Sequence, residues 1–304
     1  MTATRASPRL ALGPLTYYWP RSRVLDFYAR ALDWPVDVVY LGETVCSRRH
    51  ELRLADWLEL AARFADAGKE AVLSTYELIE TDADLRVMRS VVANGRLRVE
   101  ANDMGAVHLL AGHGPFVAGP FLNVYNAATL ELLAEAGASR WVAPVEMSAA
   151  GLRELLAEAP AIETEVFAFG RLPLAVSARC FTARYHNLDK DHCAYRCIED
   201  PEGMLLSTQE GEPFLVLNGV QTQSARVQNL LPWIEEAIAI GVDVFRLSPQ
   251  PEGMDEVVAA FDGAARHGLA ARPALARLAQ VTGAGTCDGY WHGGAGMTCS
   301  APPA

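Results

Sequence analysis

The 304-residue sequence predicts an α/β fold: a (β/α)8-type, TIM-like barrel with a cysteine-bearing insertion between its seventh and eighth strands. Two observations predict it. Short apolar runs alternate with amphipathic helical stretches along the chain, the pattern of a parallel sheet wrapped by helices. One polar, turn-rich segment, from Cys180 to about Ser224, then breaks the alternation. A segment of that length in a compact barrel is usually functional. A doubly wound open sheet is the competitor, but the first strand–helix turn has no G-x-G-x-x-G, so no dinucleotide site is indicated, and the chain has no P-loop.

The candidate strands are Leu10–Gly13, Val36–Gly42, Ala71–Thr75, Leu97–Ala101, Phe116–Val124, Trp141–Val145, Val166–Gly170 and Val242–Ser248. They are rich in Val, Leu and Phe, as strands buried on both faces should be. Helical patterns fill Val24–Leu32, Asp56–Gly68, Ala83–Ala93, Ala127–Ala136, Ala149–Ala159, Val227–Ile240 and Met254–His267. In Asp56–Gly68 the apolar face is Trp57, Leu58, Leu60, Ala61, Phe64 and Ala65. Gly137 and Gly241 follow two helix ends, where a left-handed cap is favoured. Within the insertion, only Phe214–Leu217 reads as a strand. One barrel domain over 1–304 is expected, with the insertion at about 180–224 and a Gly-rich tail from about 282 that packs loosely.

Composition narrows the function. Hydrophobic residues are 51% and charged residues 21%, enough apolar material for a sizeable core. The net charge of −11 opposes a duplex-binding role, which needs a basic surface. Arg179, Arg184, Lys190 and Arg196 form a local basic patch, interleaved with Asp189 and Asp191. No run reaches the 18 or so apolar residues of a membrane span, and the apolar run after Arg9 stops at Pro14, unlike a secretory signal. A cytoplasmic protein is expected.

In that setting six cysteines do not suggest disulfides. Cys193 and Cys197 form a C-x3-C pair, Cys180 precedes them in the same insertion, and Cys46 follows the second strand. Loops after barrel strands emerge on one face, so four thiolates can converge there, and soft thiolates select zinc or iron–sulfur clusters. Spacing leaves zinc, a cluster and ordinary thiols open. His192 reads as a surface residue or a replacement ligand, and Cys287 and Cys299 as non-ligands.

Other polar residues end strands on the same face: Glu43, Asn123, Asn126, Glu146, Arg179, Asn218, Arg246 and Gln250. They read as a pocket for an acidic small molecule, with Glu43 and Arg246 foremost, or as loop caps and ion pairs around a metal site. Tyr17, Tyr18 and Trp19 are aromatic candidates for substrate contact or for the core. G-x-S-x-G and H-E-x-x-H do not occur, and no catalytic residue is assigned.

Several segments carry a resemblance: Leu12–Pro20, Val39–Arg49, Ser177–Arg184, Val216–Thr222, Arg246–Gln250 and Asp288–Trp291. Together they resemble the branch of the collagenase-like peptidase family that acts in oxygen-independent ubiquinone biosynthesis. The resemblance implies that Cys46, Cys180, Cys193 and Cys197 ligate a [4Fe–4S] cluster. It also implies a heterodimer with the paralogue UbiU, working with the lipid-binding UbiT. The implied reaction is hydroxylation of the aromatic ring of ubiquinone precursors without O2, with prephenate as oxygen donor. The chain departs from the pattern in its Ala-rich helices and in the tail carrying Cys299, away from the ligand positions. A zinc-binding structural or scaffold protein and a family peptidase are the alternatives. A factor that hydroxylates RNA bases is disfavoured by the acidic charge.

Overall fold

The computed structural model describes residues 7–283 and 285–300; the first six residues and the last four of the tail lie outside them. Alternation begins with β1 (Arg9–Leu12), α1 (Arg21–Ala31), β2 (Val38–Leu41), α2 (Leu54–Asp66), β3 (Glu70–Ser74), α3 (Asp82–Val92) and β4 (Arg98–Ala101). It continues through α4 (Met104–Leu110), β5 (Phe116–Ala118), α5 (Ala127–Glu135), β6 (Ala138–Val142), α6 (Ala149–Glu158) and β7 (Glu163–Val176). The insertion carries α7 (Phe181–Tyr185), β8 (Met204–Ser207), β9 (Pro213–Asn218) and β10 (Gln221–Asn229). The chain returns through α8 (Ile234–Ile240), β11 (Val244–Leu247), α9 (Met254–His267), α10 (Ala271–Val281) and β12 (Thr286–Cys287).

Strands β1 to β7 pair in sequence order, all parallel, and β11 pairs in parallel with both β7 and β1, which closes an eight-stranded barrel. The period of two along each strand divides the core. Leu10, Leu12, Val39 and Leu41 belong to the large cluster shared with the helices, whereas Ala11, Val38, Tyr40, Val72, Val117, Val142 and Val244 form a separate inner cluster. Helix α2 buries Trp57, Leu60, Ala61 and Phe64, one stripe at helical spacing. Helix α3 starts with a capping box: the Asp84 N–H donates to Thr81 Oγ1 at 3.2 Å, and the Thr81 N–H donates to the Asp84 carboxylate at 2.9 Å.

Small inner side chains leave room for charge. Arg246 Nε donates to Glu165 at 2.6 Å and its Nη2 to Glu100 at 2.7 Å. Arg140 bonds Glu163 at 2.6 Å and Glu70 at 2.9 Å, and Tyr40 Oη donates to Glu165 at 2.5 Å. Arg246, Arg140, Tyr40, Glu100 and Glu165 are almost wholly buried, and the Arg246 guanidinium lies 4.0 Å from the Tyr40 ring centre. Burial disfavours the Arg246 charge, but Glu100 and Glu165 outweigh it and hold its pKa above the usual value.

Strand β7 positions the insertion. Its first half belongs to the barrel; beyond Gly170, at φ +133°, it continues as the antiparallel partner of β10, which pairs with β9 and then β8. The sheet thus leaves the barrel at the end where the strands terminate.

Four expectations are corrected. Phe214–Leu217 is not the insertion's one strand, since β9 pairs with β8 and with β10. Val227–Asn229 complete β10 rather than opening a helix, and α8 begins at Ile234. The fifth strand stops at Ala118 and gives way to a single 3-10 turn at Pro120–Leu122, where Pro120 removes a ladder donor. From Thr286 to Trp291 the tail is not loose: Cys287, Asp288 and Trp291 are buried, β12 pairs with β10, and the Trp233 and Trp291 indoles donate to Asp288 and Glu236 at 2.9 and 3.0 Å. Helices α4 and α10 were not anticipated; α4 is short and defined by its Asp103 cap.

Candidate functional site

The loop after β2 and the insertion meet on the barrel's C-terminal face. Glu43 shapes the loop: its Oε1 accepts the backbone N–H groups of Val45 and Cys46 at 3.0 and 3.1 Å. Asn218 at the end of β9 docks the insertion, accepting from Arg49 Nη2 at 2.6 Å and donating to the Thr16 carbonyl at 2.8 Å. Trp19 Nε1 donates to the Pro201 carbonyl at 2.8 Å, and Arg48 and Lys190 pair with Asp191 and Glu80.

This docking brings Cys46, Cys180, Cys193 and Cys197 to the wall of one pocket, together with Arg48, Arg49, Lys190 and Arg196. Cys180 caps α7, its Sγ accepting the Ala183 N–H at 3.4 Å. Between Cys193 and Cys197 the chain turns through Ala194 and Tyr195, both left-handed at φ +50° and +54°. That conformation is costly for residues with a Cβ and is found mainly where function or context requires it. Tyr195 lines the pocket, its hydroxyl hydrogen-bonded to His50 Nε2 at 3.2 Å and its ring tilted against Tyr18.

Burial raises the Cys46 and Cys197 thiols above their ordinary pKa, with Arg49 pulling both back. Loading a metal group there would release protons. The donor set fits a thiolate-ligated cluster: four soft sulfurs surrounded by cations that offset its negative charge. The space between the side chains is about 20 Å3, room for one water, so the fit rests on the donor set rather than on volume. Among the described residues, no group of three or more His, Cys, Asp or Glu side chains is placed to hold a metal ion as it stands. Ligands of a cluster bind different irons and stand further apart than four ligands of one ion.

The remaining candidates divide. Asn123 and Glu146 line a cavity of about 260 Å3 at the barrel mouth with Glu77, Phe121 and Tyr125, whose hydroxyl donates to Glu146 at 3.0 Å. Asn126 caps α5. Arg179 is exposed, and its backbone N–H donates to Ser177 Oγ at 3.1 Å. Arg246 lies among the barrel carboxylates, Gln250 is buried, and Glu43 and Asn218 hold Arg49. Tyr17, Tyr18 and Trp19 are all buried. Cys287 is buried in the tail, where burial pushes its thiol up to about 12.

Sequence reasoning missed Glu77 and an apolar cavity of about 350 Å3 between α2 and α3, which shares Glu43 and Arg49 with the cysteine pocket's surroundings. The Glu77 carboxylate accepts from Gln221 Nε2 at 3.1 and 3.0 Å and from Thr44 Oγ1 at 3.2 Å, and burial pushes its pKa up to about 8. A carboxyl group whose folded pKa exceeds its unfolded one favours folding below the unfolded value, and that contribution is lost as pH rises through the folded pKa. Wild type should therefore lose stability relative to Glu77→Gln between about pH 4.5 and 8, by up to about 1.4 kcal/mol per pH unit. Urea unfolding of both across that range checks this; parallel curves would show that Glu77 stays ionised.

A family model described as Peptidase family U32 matches residues 25–297. The chain belongs to that family. Among solved structures, this U32 chain is similar to tryptophan synthase from Mycobacterium tuberculosis, at 18% identity over 60% of this chain and 80% of that one, TM-score 0.36. It is also similar to dihydropteroate synthase from Thermus thermophilus, at 14% identity over 84% and 94%, TM-score 0.40. A third is phospho-2-dehydro-3-deoxyheptonate aldolase from Thermotoga maritima, at 12% identity over 79% and 60%, TM-score 0.38. At these scores the likenesses carry nothing about the chemistry of the U32 chain. Among its described residues, no helix is long and apolar enough to cross a membrane.

Proposed function

We propose that the chain is a UbiV-type [4Fe–4S] subunit of an oxygen-independent aromatic-ring hydroxylase, cytoplasmic and paired with a UbiU paralogue. The observation that carries this reading is the meeting of Cys46, from the loop after β2, with Cys180, Cys193 and Cys197 of the insertion in one cation-lined pocket. Cys46, Cys180, Cys193 and Cys197 would hold the cluster. Once bound, the cluster supplies one-electron transfer. With a thiolate for every iron, this chain favours electron relay over direct substrate binding. Glu43 orients the Cys46 backbone, Tyr195 lines the pocket with its hydroxyl bonded to His50, and Arg49 places positive charge beside the sulfurs.

Ubiquinone precursors, prephenate as the oxygen donor and the lipid-binding UbiT belong to the same reading, through the six segments that carry the family resemblance. The test is genetic and chemical together. Cells lacking this chain, grown without oxygen, should accumulate precursors short of ring hydroxyls. The wild-type gene should restore hydroxylation and Cys197→Ala should not. Unchanged ubiquinone in the deletion strain, or peptide cleavage by the purified chain that survives loss of metal, would overturn the proposal.

A further inference from the structure

Arg49 is the one cation of the cysteine pocket whose side chain is about 1% exposed. Its neighbours account for only part of the guanidinium. Nη1 donates to the Thr16 carbonyl at 2.7 Å and Nη2 to Asn218 Oδ1 at 2.6 Å, while Nε is buried with no hydrogen-bond partner among the described residues. A buried donor left unmade is costly, and the guanidinium's remaining side-chain partner is the Cys197 thiol. Arg49 lines the pocket formed by the four cysteines, where burial opposes its charge and Glu43, ahead of Cys197 and Cys46, favours it. The fold guards this arrangement: Gly219 sits at φ +67°, and a Cβ there would fall 2.9 Å from Arg49 Nη2. Arg48 and Arg196 are more exposed, at 39% each, and Arg48 pairs with Asp191 and Arg196 with Glu199. Water and those carboxylates screen them. Lys190 is spent on Glu80. Glu43, 3.7 Å from Arg49, offsets the buried charge in part.

We propose that Arg49 sets the reduction potential of the cluster held by Cys46, Cys180, Cys193 and Cys197, with its Nε donating to a cluster or cysteine sulfur. This rests on the cluster reading above. Its physical content is simple: a fixed, poorly screened positive charge and a hydrogen bond to sulfur both favour the more negative, reduced state. The guanidinium stays protonated in both states, so the added electron is matched by no proton on Arg49.

The experiment is a reductive titration with dithionite, followed by electron paramagnetic resonance, on the anaerobically prepared full chain. Wild type, Arg49→Gln and Arg49→Lys are compared. The midpoint of Arg49→Gln should move to more negative potential, and Arg49→Lys should recover part of the shift by keeping the charge without the fork. Equal midpoints for wild type and Arg49→Gln would overturn the proposal. Wild type that holds no iron or sulfide is a different failure, that of the cluster reading itself. Should Arg49→Gln not fold, wild type carrying nitrogen-15 in its arginine guanidinium groups decides by pulsed resonance. A labelled nitrogen coupled to the reduced cluster is expected, and its absence would overturn the proposal.

Discussion

Arg246→Met should cost about 3–5 kcal/mol of folding stability, the usual result of removing one partner from a buried ion pair. The reason is local. Arg246 holds Glu100 and Glu165 at 2.7 and 2.6 Å, and both carboxylates are fully buried inside the barrel. Methionine fills similar space but leaves two carboxyl groups without that cation. Arg246→Lys should be intermediate, since an ammonium cannot reach both carboxylates as a guanidinium fork does. Urea unfolding measures all three. A change within about 0.5 kcal/mol, as for an ordinary surface site, with a defect only in ligand binding, would return Arg246 to a substrate role.

The cysteines should sort sharply. Alanine at Cys46, Cys180, Cys193 or Cys197 should remove most of the iron from anaerobically purified protein. Alanine at Cys287 or Cys299 should leave it in place. Cys287 is buried in the tail beside β10, so Cys287→Ala should cost about 1 kcal/mol of stability. Cys299 is exposed, 3.8 Å from Thr286 Oγ1. Iron lost from Cys299→Ala but not from Cys180→Ala would refute the assignment of ligands.

Much of the fold was legible because buried parallel strands are apolar on both faces, as in Val38–Leu41. What misled was polarity that the fold buries. Gln221, Gln223 and Gln228 are almost wholly buried, and they read as insertion or helix because their partners lie far away in sequence: Glu77 for Gln221, Thr16 for Gln223, the Phe167 carbonyl for Gln228. The same difficulty hid the role of Arg246. A polar residue ending a strand has the same sequence signature whether it faces the barrel mouth or fills its interior. The tail misled through glycine. Gly289 permits a backbone approach that a side chain would block, a Cβ there falling 1.8 Å from the Ala295 carbonyl, and so lets Asp288 and Trp291 pack. The four cysteines were legible as a group, but spacing could not separate zinc from a cluster. Glu77 carried no signal of its own beyond standing just past the third strand.

The most direct test of the central claim is metal and sulfide analysis, with the visible spectrum, of the chain purified without oxygen beside its paralogue. About four irons and four sulfides per chain, with a brown chromophore lost in Cys197→Ala, is the predicted result. A colourless protein holding one zinc per chain would contradict it and leave the cysteine pocket a structural clasp between the barrel and its insertion.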